Sequence, residues 1–115
     1  MYGILRQLRE SGLFSSINVL KMLDEETVRL LKIKADVFDG SILYINEMHT
    51  ESYQKYSYHW QESSGNLIMR WDNKPHWRDL RTFPHHKHVG EEDNAMPSHR
   101  VTLDEVLLEI KKRQK

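Results

Sequence analysis

An α+β fold is predicted: an antiparallel β-sheet meander of about four to five strands packed against N- and C-terminal helices. Three observations predict it. Apolar residues recur at helical spacing only near the two ends of the chain. Between them, alternation of period two, rich in β-branched and aromatic residues, runs from Ser16 to Trp71. The alternating runs are separated by tight-turn sequences.

Residues 2 to 11 place Ile4, Leu5 and Leu8 on one helical face with Arg6, Gln7, Arg9 and Glu10 outward, and Gly12 is the expected C-terminal cap. From Ser16, Ile17 and Val19 alternate with Asn18 until the polar break Asp24-Glu25-Glu26. Leu31, Ile33, Ala35 and Val37 then alternate with Lys32, Lys34 and Asp36, as half-buried strands do. Asp39-Gly40 is a hairpin signal, because that dipeptide accepts positive φ. Ile42 to His49 forms the returning strand, with Leu43, Ile45 and Glu47 sharing a face. Tyr53 to Gln61 alternates Tyr56, Tyr58 and Trp60 against Lys55, Ser57 and His59. After the turn Ser63-Ser64-Gly65-Asn66, Leu67, Met69 and Trp71 continue the pattern until Pro75, which cannot occupy a central ladder. Residues 76 to 82 are expected to hold a helical turn, and His86 to Val89 a short edge strand. Gly90 to Ser98 reads as an acidic, mobile loop. Thr102-Leu103-Asp104-Glu105 is a capping box, followed by the stripe Leu103, Val106, Leu107, Ile110. Lys111, Lys112, Arg113 and Lys115 then suit the negative end of the helix dipole.

The 115 residues predict one domain, 1–115. The absence of cysteine excludes disulfides and thiolate ligands. No apolar run long enough for a signal peptide or a membrane span is present, so a cytoplasmic protein without membrane partners is expected. A formal net charge of zero argues against a general nucleic-acid binder but not against a locally cationic site for an anionic substrate.

Such a site lies between residues 70 and 88. It holds four of the seven histidines, with Arg70, Lys74, Arg78, Arg81 and Lys87 against Asp72 and Asp79. Imidazole exchanges protons near neutral pH. In an extended segment His86 and His88 share a face and Lys87 takes the other. Two imidazoles can divide general base and general acid work in phosphodiester cleavage, or supply two nitrogen ligands to a metal with His76 or Asp72 as a third. A solvated histidine-rich loop is the plain alternative. The absence of zinc-type spacing such as His-Glu-x-x-His favours proton chemistry, with no metal and no cofactor. Arg70-Trp71-Asp72-Asn73 can support a phosphate and orient an imidazole, or be a polar turn before Pro75. Glu47 falls on the face shared with Leu43 and Ile45, either at an open sheet end or within a site. The aromatic stripe Tyr56, Tyr58, Trp60 and Trp71 fits cross-strand packing better than base stacking. No Gly-rich phosphate loop, Gly-x-Ser-x-Gly elbow or helix-turn-helix pattern is present.

The blocks Tyr56-Ser57-Tyr58-His59-Trp60, Gly65-Asn66-Leu67-Ile68, Arg70-Trp71-Asp72-Asn73-Lys74-Pro75-His76 and Phe83-Pro84-His85-His86-Lys87-His88-Val89 resemble the TumE-type toxins of toxin–antitoxin pairs. The Asp39-Gly40-Ser41 hairpin, Glu47 and the helix from Thr102 to Ile110 fit the same layout. Trp77-Arg78 departs from the histidine or proline expected after His76. The resemblance implies a small cytoplasmic toxin with a cognate antitoxin as partner. Its motif points to Arg70, Asp72, Asn73, His76, His86, Lys87 and His88, with Glu47 and Tyr58 in support. The imidazole–cation mixture adds the expectation of a metal-independent ribonuclease. In that scheme His76, His86 and His88 with Arg70, Asp72 and Lys87 are catalytic, and Asn73, Tyr58 and Glu47 hold substrate RNA. A non-catalytic partner-binding protein and a metal-dependent hydrolase are the competing expectations.

Overall fold

The computed structural model describes residues 2–114; Lys115, the last of the C-terminal cations, lies outside them. Helix α1 spans Tyr2–Ser11, strands β1 to β5 span Phe14–Asp24, Val28–Val37, Ile42–Thr50, Gln54–Gln61 and Leu67–Asp72, β6 and β7 span His86–Val89 and Ala95–Pro97, and α2 spans Leu103–Arg113. All seven strands form one antiparallel sheet in sequential order.

The sheet is therefore larger than the four or five strands expected. The additional strands are the short ones, whose alternation runs over too few residues to stand out. His86–Val89 is not an edge strand, because β7 pairs outside it. The segment expected as a loop, 90–98, contains that seventh strand after a turn at Gly90, where φ is +77°. Residues 76 to 82 form successive turns closed by Leu80 N–H to Trp77 O and Phe83 N–H to Leu80 O, and no helix.

Alternation decides the layers. Ile33, Ile45, Tyr58 and Trp71 are aligned across β2 to β5 and are buried. Helix α1 buries Leu5 and Leu8, and α2 buries Leu103, Val106, Leu107 and Ile110, in the same core. At roughly 1.5–3 kcal/mol for each fully buried aliphatic chain, this layer is the principal stabilising term. The ends of the helices follow from local chemistry. Gly12 has φ +71° after α1, and Thr102 caps α2 by accepting from Glu105 N–H. Gly40, at φ +93°, turns the β2–β3 hairpin.

Among the described residues the opposite face of the sheet carries no helix. Two cross-strand rows run over it: Lys34, Tyr44, His59, Arg70 and His88 in one, and Lys32, Asn46, Ser57, Asp72 and His86 in the other. Asp72, His86 and His88 are nonetheless buried there, beneath the turns of 73–85 and the Gly90–Asn94 connection. No helix among the described residues is long and apolar enough to cross a membrane.

Candidate active site

Strand register brings together Arg70, Asp72, His86 and His88. Arg70 lies opposite His88, and Asp72 opposite His86, on adjacent strands β5 and β6. Asp72 is the centre of the group and is 1% exposed. Its Oδ2 accepts from Arg70 Nε–H at 2.8 Å, its Oδ1 accepts from the Lys74 backbone N–H at 3.0 Å, and His86 Nε2 lies 2.9 Å from Oδ1. Burying a carboxylate is costly unless it is paired and hydrogen-bonded, and here both oxygens are engaged.

Each histidine is fixed through its other nitrogen. His86 Nδ1 meets Pro84 O at 2.9 Å, and His88 Nδ1 meets Glu92 O at 2.6 Å. A carbonyl only accepts, so both Nδ1 atoms carry hydrogen and both Nε2 atoms face Asp72. The contact of His86 Nε2 with Oδ1 then requires a second ring proton or a cation between them. His88 Nε2 stands 3.7 Å from Asp72 Oδ2, beyond hydrogen-bond reach. His86 is thus locked at both nitrogens, whereas His88 keeps one unengaged. The two rings meet edge to face at 4.8 Å.

Arg70 is oriented by a residue that motif reading overlooks. Its Nη1–H donates to His59 Nδ1 at 3.1 Å, and the opposite ring nitrogen of His59 donates to Gln61 Oε1 at 3.1 Å. Burial, and then the Arg70 guanidinium, hold the His59 pKa below its ordinary value, so His59 serves Arg70 as a neutral acceptor. Its place opposite Arg70 on β4 was the only available signal, and that needs the strand register.

Above the histidines, Trp77 sets its ring 6.4 Å from His86 and 6.0 Å from His88. The tryptophan that departs from the expected motif therefore roofs both imidazoles. An open cavity of about 480 Å³ is bounded by Arg70, Asp72, Lys74, His76, Trp77, His86 and His88, with Glu92 and Asp93 on its rim. His76 is an exposed member of this wall.

Four other sequence candidates sit elsewhere. Lys87 aligns with Trp71 on the helix-covered face, as alternation between His86 and His88 requires. Glu47 and Tyr58 belong to that face too, where Tyr58 Oη–H donates to Glu47 Oε2 at 3.3 Å and His49 Nε2 lies 3.3 Å from Oε1. Burial and the Glu47 carboxylate push the Tyr58 hydroxyl far up, so it remains a donor. Asn73 joins β4 to the end of β5: its Oδ1 accepts from Tyr56 N–H at 3.0 Å and its Nδ2 donates to Gln54 O at 2.8 Å. Beside it, Tyr56 Oη lies 2.9 Å from His85 Nδ1 and the two rings stack. Burial and Asp72 raise Tyr56 to about 12, and burial with Arg100 lowers His85, so the phenol donates to a neutral imidazole and anchors the 73–85 turns.

Asp72, His86 and His88 each turn one ligand-type atom into a space where all three lie within 4.8 Å of one another. Chemically, the arrangement offers an acid–base nitrogen on His88, a carboxylate to balance it and an arginine whose Nη2 is unused by protein acceptors among the described residues. No curated protein and no solved structure matches the chain significantly. The family model described as Toxin TumE matches residues 4–114, nearly the whole chain, and the chain belongs to that toxin family.

Proposed function

We propose that this TumE-family chain is the toxin of a toxin–antitoxin pair and acts by cleaving RNA at the Asp72–His86–His88 cleft. The observation that carries the reading is the unequal engagement of the two histidines. His86 is held at both ring nitrogens, and His88 has Nε2 available. His88 is the acid–base group, Asp72 balances its charge and His86 positions Asp72. His76, exposed on the same cavity wall, is the second acid–base group. One imidazole takes the ribose 2′ proton as the 2′ oxygen bonds to phosphorus. The other delivers a proton to the 5′ oxygen as its bond to phosphorus breaks. Arg70 and Lys74, which border the same cavity, stabilise the charge gathered on the phosphoryl oxygens. Lys87, Glu47 and Tyr58, on the other face, have no part in this scheme, and Asn73 acts through strand closure.

A second reading is supported by the tautomers. Two Nε2 atoms and a carboxylate, with both Nδ1 atoms on backbone carbonyls, form a donor set suited to a divalent metal. The test is cleavage of total RNA by the purified chain, with and without EDTA, beside His88→Ala and His86→Ala. Cleavage that survives EDTA and vanishes in His88→Ala supports the imidazole route. Loss to EDTA, restored by metal, supports the metal route. Intact RNA throughout refutes both and favours a non-catalytic toxin acting through a partner.

A further inference from the structure

We propose that the helix-free face of the sheet and the aromatic cavity beside it form a binding site for single-stranded RNA, with the sugar–phosphate backbone on Lys32 and Lys55 and a base stacked on Tyr53 and Phe83. The inference rests on the RNA-cleaving reading and says where the substrate lies.

The first support is charge segregation. The chain is neutral overall, yet Lys21, Lys32 and Lys34 on β1 and β2, Lys55 on β4 and Lys74 after β5 gather on or beside one face. Among the described residues none of these five lysines lies within 4.0 Å of a carboxylate; the ion pairs involve other cations. Two acids share this face, where Asp36 accepts from Ser16 Oγ–H and Asp72 is buried and paired with Arg70. Glu92 and Asp93 border the histidine cleft; others, such as Glu25, Glu26, Glu51, Asp104, Glu105 and Glu109, lie in turns or on α2. Glu47, which borders the groove, has its carboxylate held by Tyr58 and His49. Unpaired cations side by side repel one another, and a polyanion relieves that repulsion while releasing its counterions.

Continuity is the second support. A groove of about 260 Å³ between Lys32, Lys55, Arg70 and Lys74 meets a cavity of about 550 Å³ lined by Tyr53, Lys55, Lys74, His76, Phe83 and Pro84. Lys74 borders both and also the histidine cleft. A strand crossing from Lys32 to Asp72 passes three sheet spacings of about 4.8 Å each, a span of a few nucleotides.

The third support separates RNA from an acidic polypeptide. Tyr53 is 53% exposed and Phe83 41% exposed, beside the cations. Lone exposed aromatics are ordinary, but two in one cavity flanked by lysines offer what unpaired bases use and an acidic peptide does not. A duplex, with its bases already stacked, has no use for them either.

The experiment is fluorescence anisotropy of the full chain with a labelled 2′-O-methyl strand of about 12 nucleotides, long enough for a site of this kind. That strand lacks the 2′ nucleophile and remains intact. Lys32→Ala/Lys55→Ala, both at exposed positions, is expected to bind at least about tenfold more weakly. The slope of log affinity against log salt should fall by about 1.4, or about 0.7 for each lost phosphate contact. Tyr53→Ala/Phe83→Ala is expected to bind at least about fivefold more weakly with an unchanged slope. Far-UV circular dichroism checks that each variant is folded. Unchanged affinity and slope in the lysine variant, or no binding by the parent chain, overturns the proposal. So does a lysine-dependent preference for an oligoglutamate probe over RNA, which would assign the face to a protein partner. Lysine-dependent binding without any RNA cleavage would sink the catalytic reading and leave this site standing. Cleavage with unaltered binding in the lysine variant would do the reverse.

Discussion

Replacing Asp72 by asparagine tests the centre of the cleft most directly. The substitution keeps shape and removes one charge and one acceptor. In the parent chain Oδ2 accepts from Arg70 Nε–H and Oδ1 from Lys74 N–H, with His86 Nε2 against Oδ1. An asparagine amide has one oxygen, so whichever way it turns its NH2 confronts a donor, either Arg70 Nε–H or Lys74 N–H. Breaking a buried charge pair from one side costs about 3–5 kcal/mol. Arg70 retains partial access to water, with its side chain one-fifth exposed, which places the loss near the lower end, about 3 kcal/mol. That is a large share of the roughly 5–15 kcal/mol by which such chains are stable. For 115 residues it lowers Tm by on the order of 10–15 °C. The assay is urea denaturation of Asp72→Asn, Arg70→Leu and the double variant. Groups in one network should show coupling of about 1–3 kcal/mol. An Asp72→Asn loss below about 1 kcal/mol, or additivity within about 0.5 kcal/mol, would refute the network at the heart of the site.

Acidification should weaken the fold through His59. Its folded pKa lies below the unfolded value, by burial and then by Arg70, so below about pH 6.5 the unfolded chain takes up a proton that the folded chain refuses. The stability linked to His59 is full above that pH and falls as pH is lowered toward the folded pKa. His59→Gln should therefore lose less between about pH 7.5 and 5.5 than the parent, as read from urea midpoints, and an equal loss would contradict the assignment. In the core, Ile110→Ala empties a fully buried site on α2 and should cost about 2–5 kcal/mol by the same denaturation measurement. At the β2–β3 hairpin, Gly40→Ala forces a side chain to φ +93° and should cost about 1–2 kcal/mol although open space surrounds the position; a neutral outcome would mean that the turn relaxes.

By itself the sequence determined the fold class, both helices with their caps, the first hairpins and the family, because each depends on neighbours in the chain. Helical stripes, period-two alternation, Asp39-Gly40 and the Thr102 capping box all act within a few residues. Alternation even places Lys87 opposite His86 and His88, so its separation from the cleft was legible. Short segments carry too little periodicity, and Ala95–Pro97 is a strand only because β6 offers it hydrogen bonds. The candidate cleft was legible as a region and as residue types, but its geometry was not. Cross-strand register between residues far apart in sequence joins His59 to Arg70 and Asp72 to His86. Two backbone carbonyls, of Pro84 and Glu92, select the histidine tautomers, and no side-chain motif records them. The same register sends Glu47 and Tyr58 to the helix-covered face and lines the unpaired lysines along the other. Tertiary structure alone decides these pairings, because hydrogen bonds and charge interactions depend on separation in space and not on position along the chain.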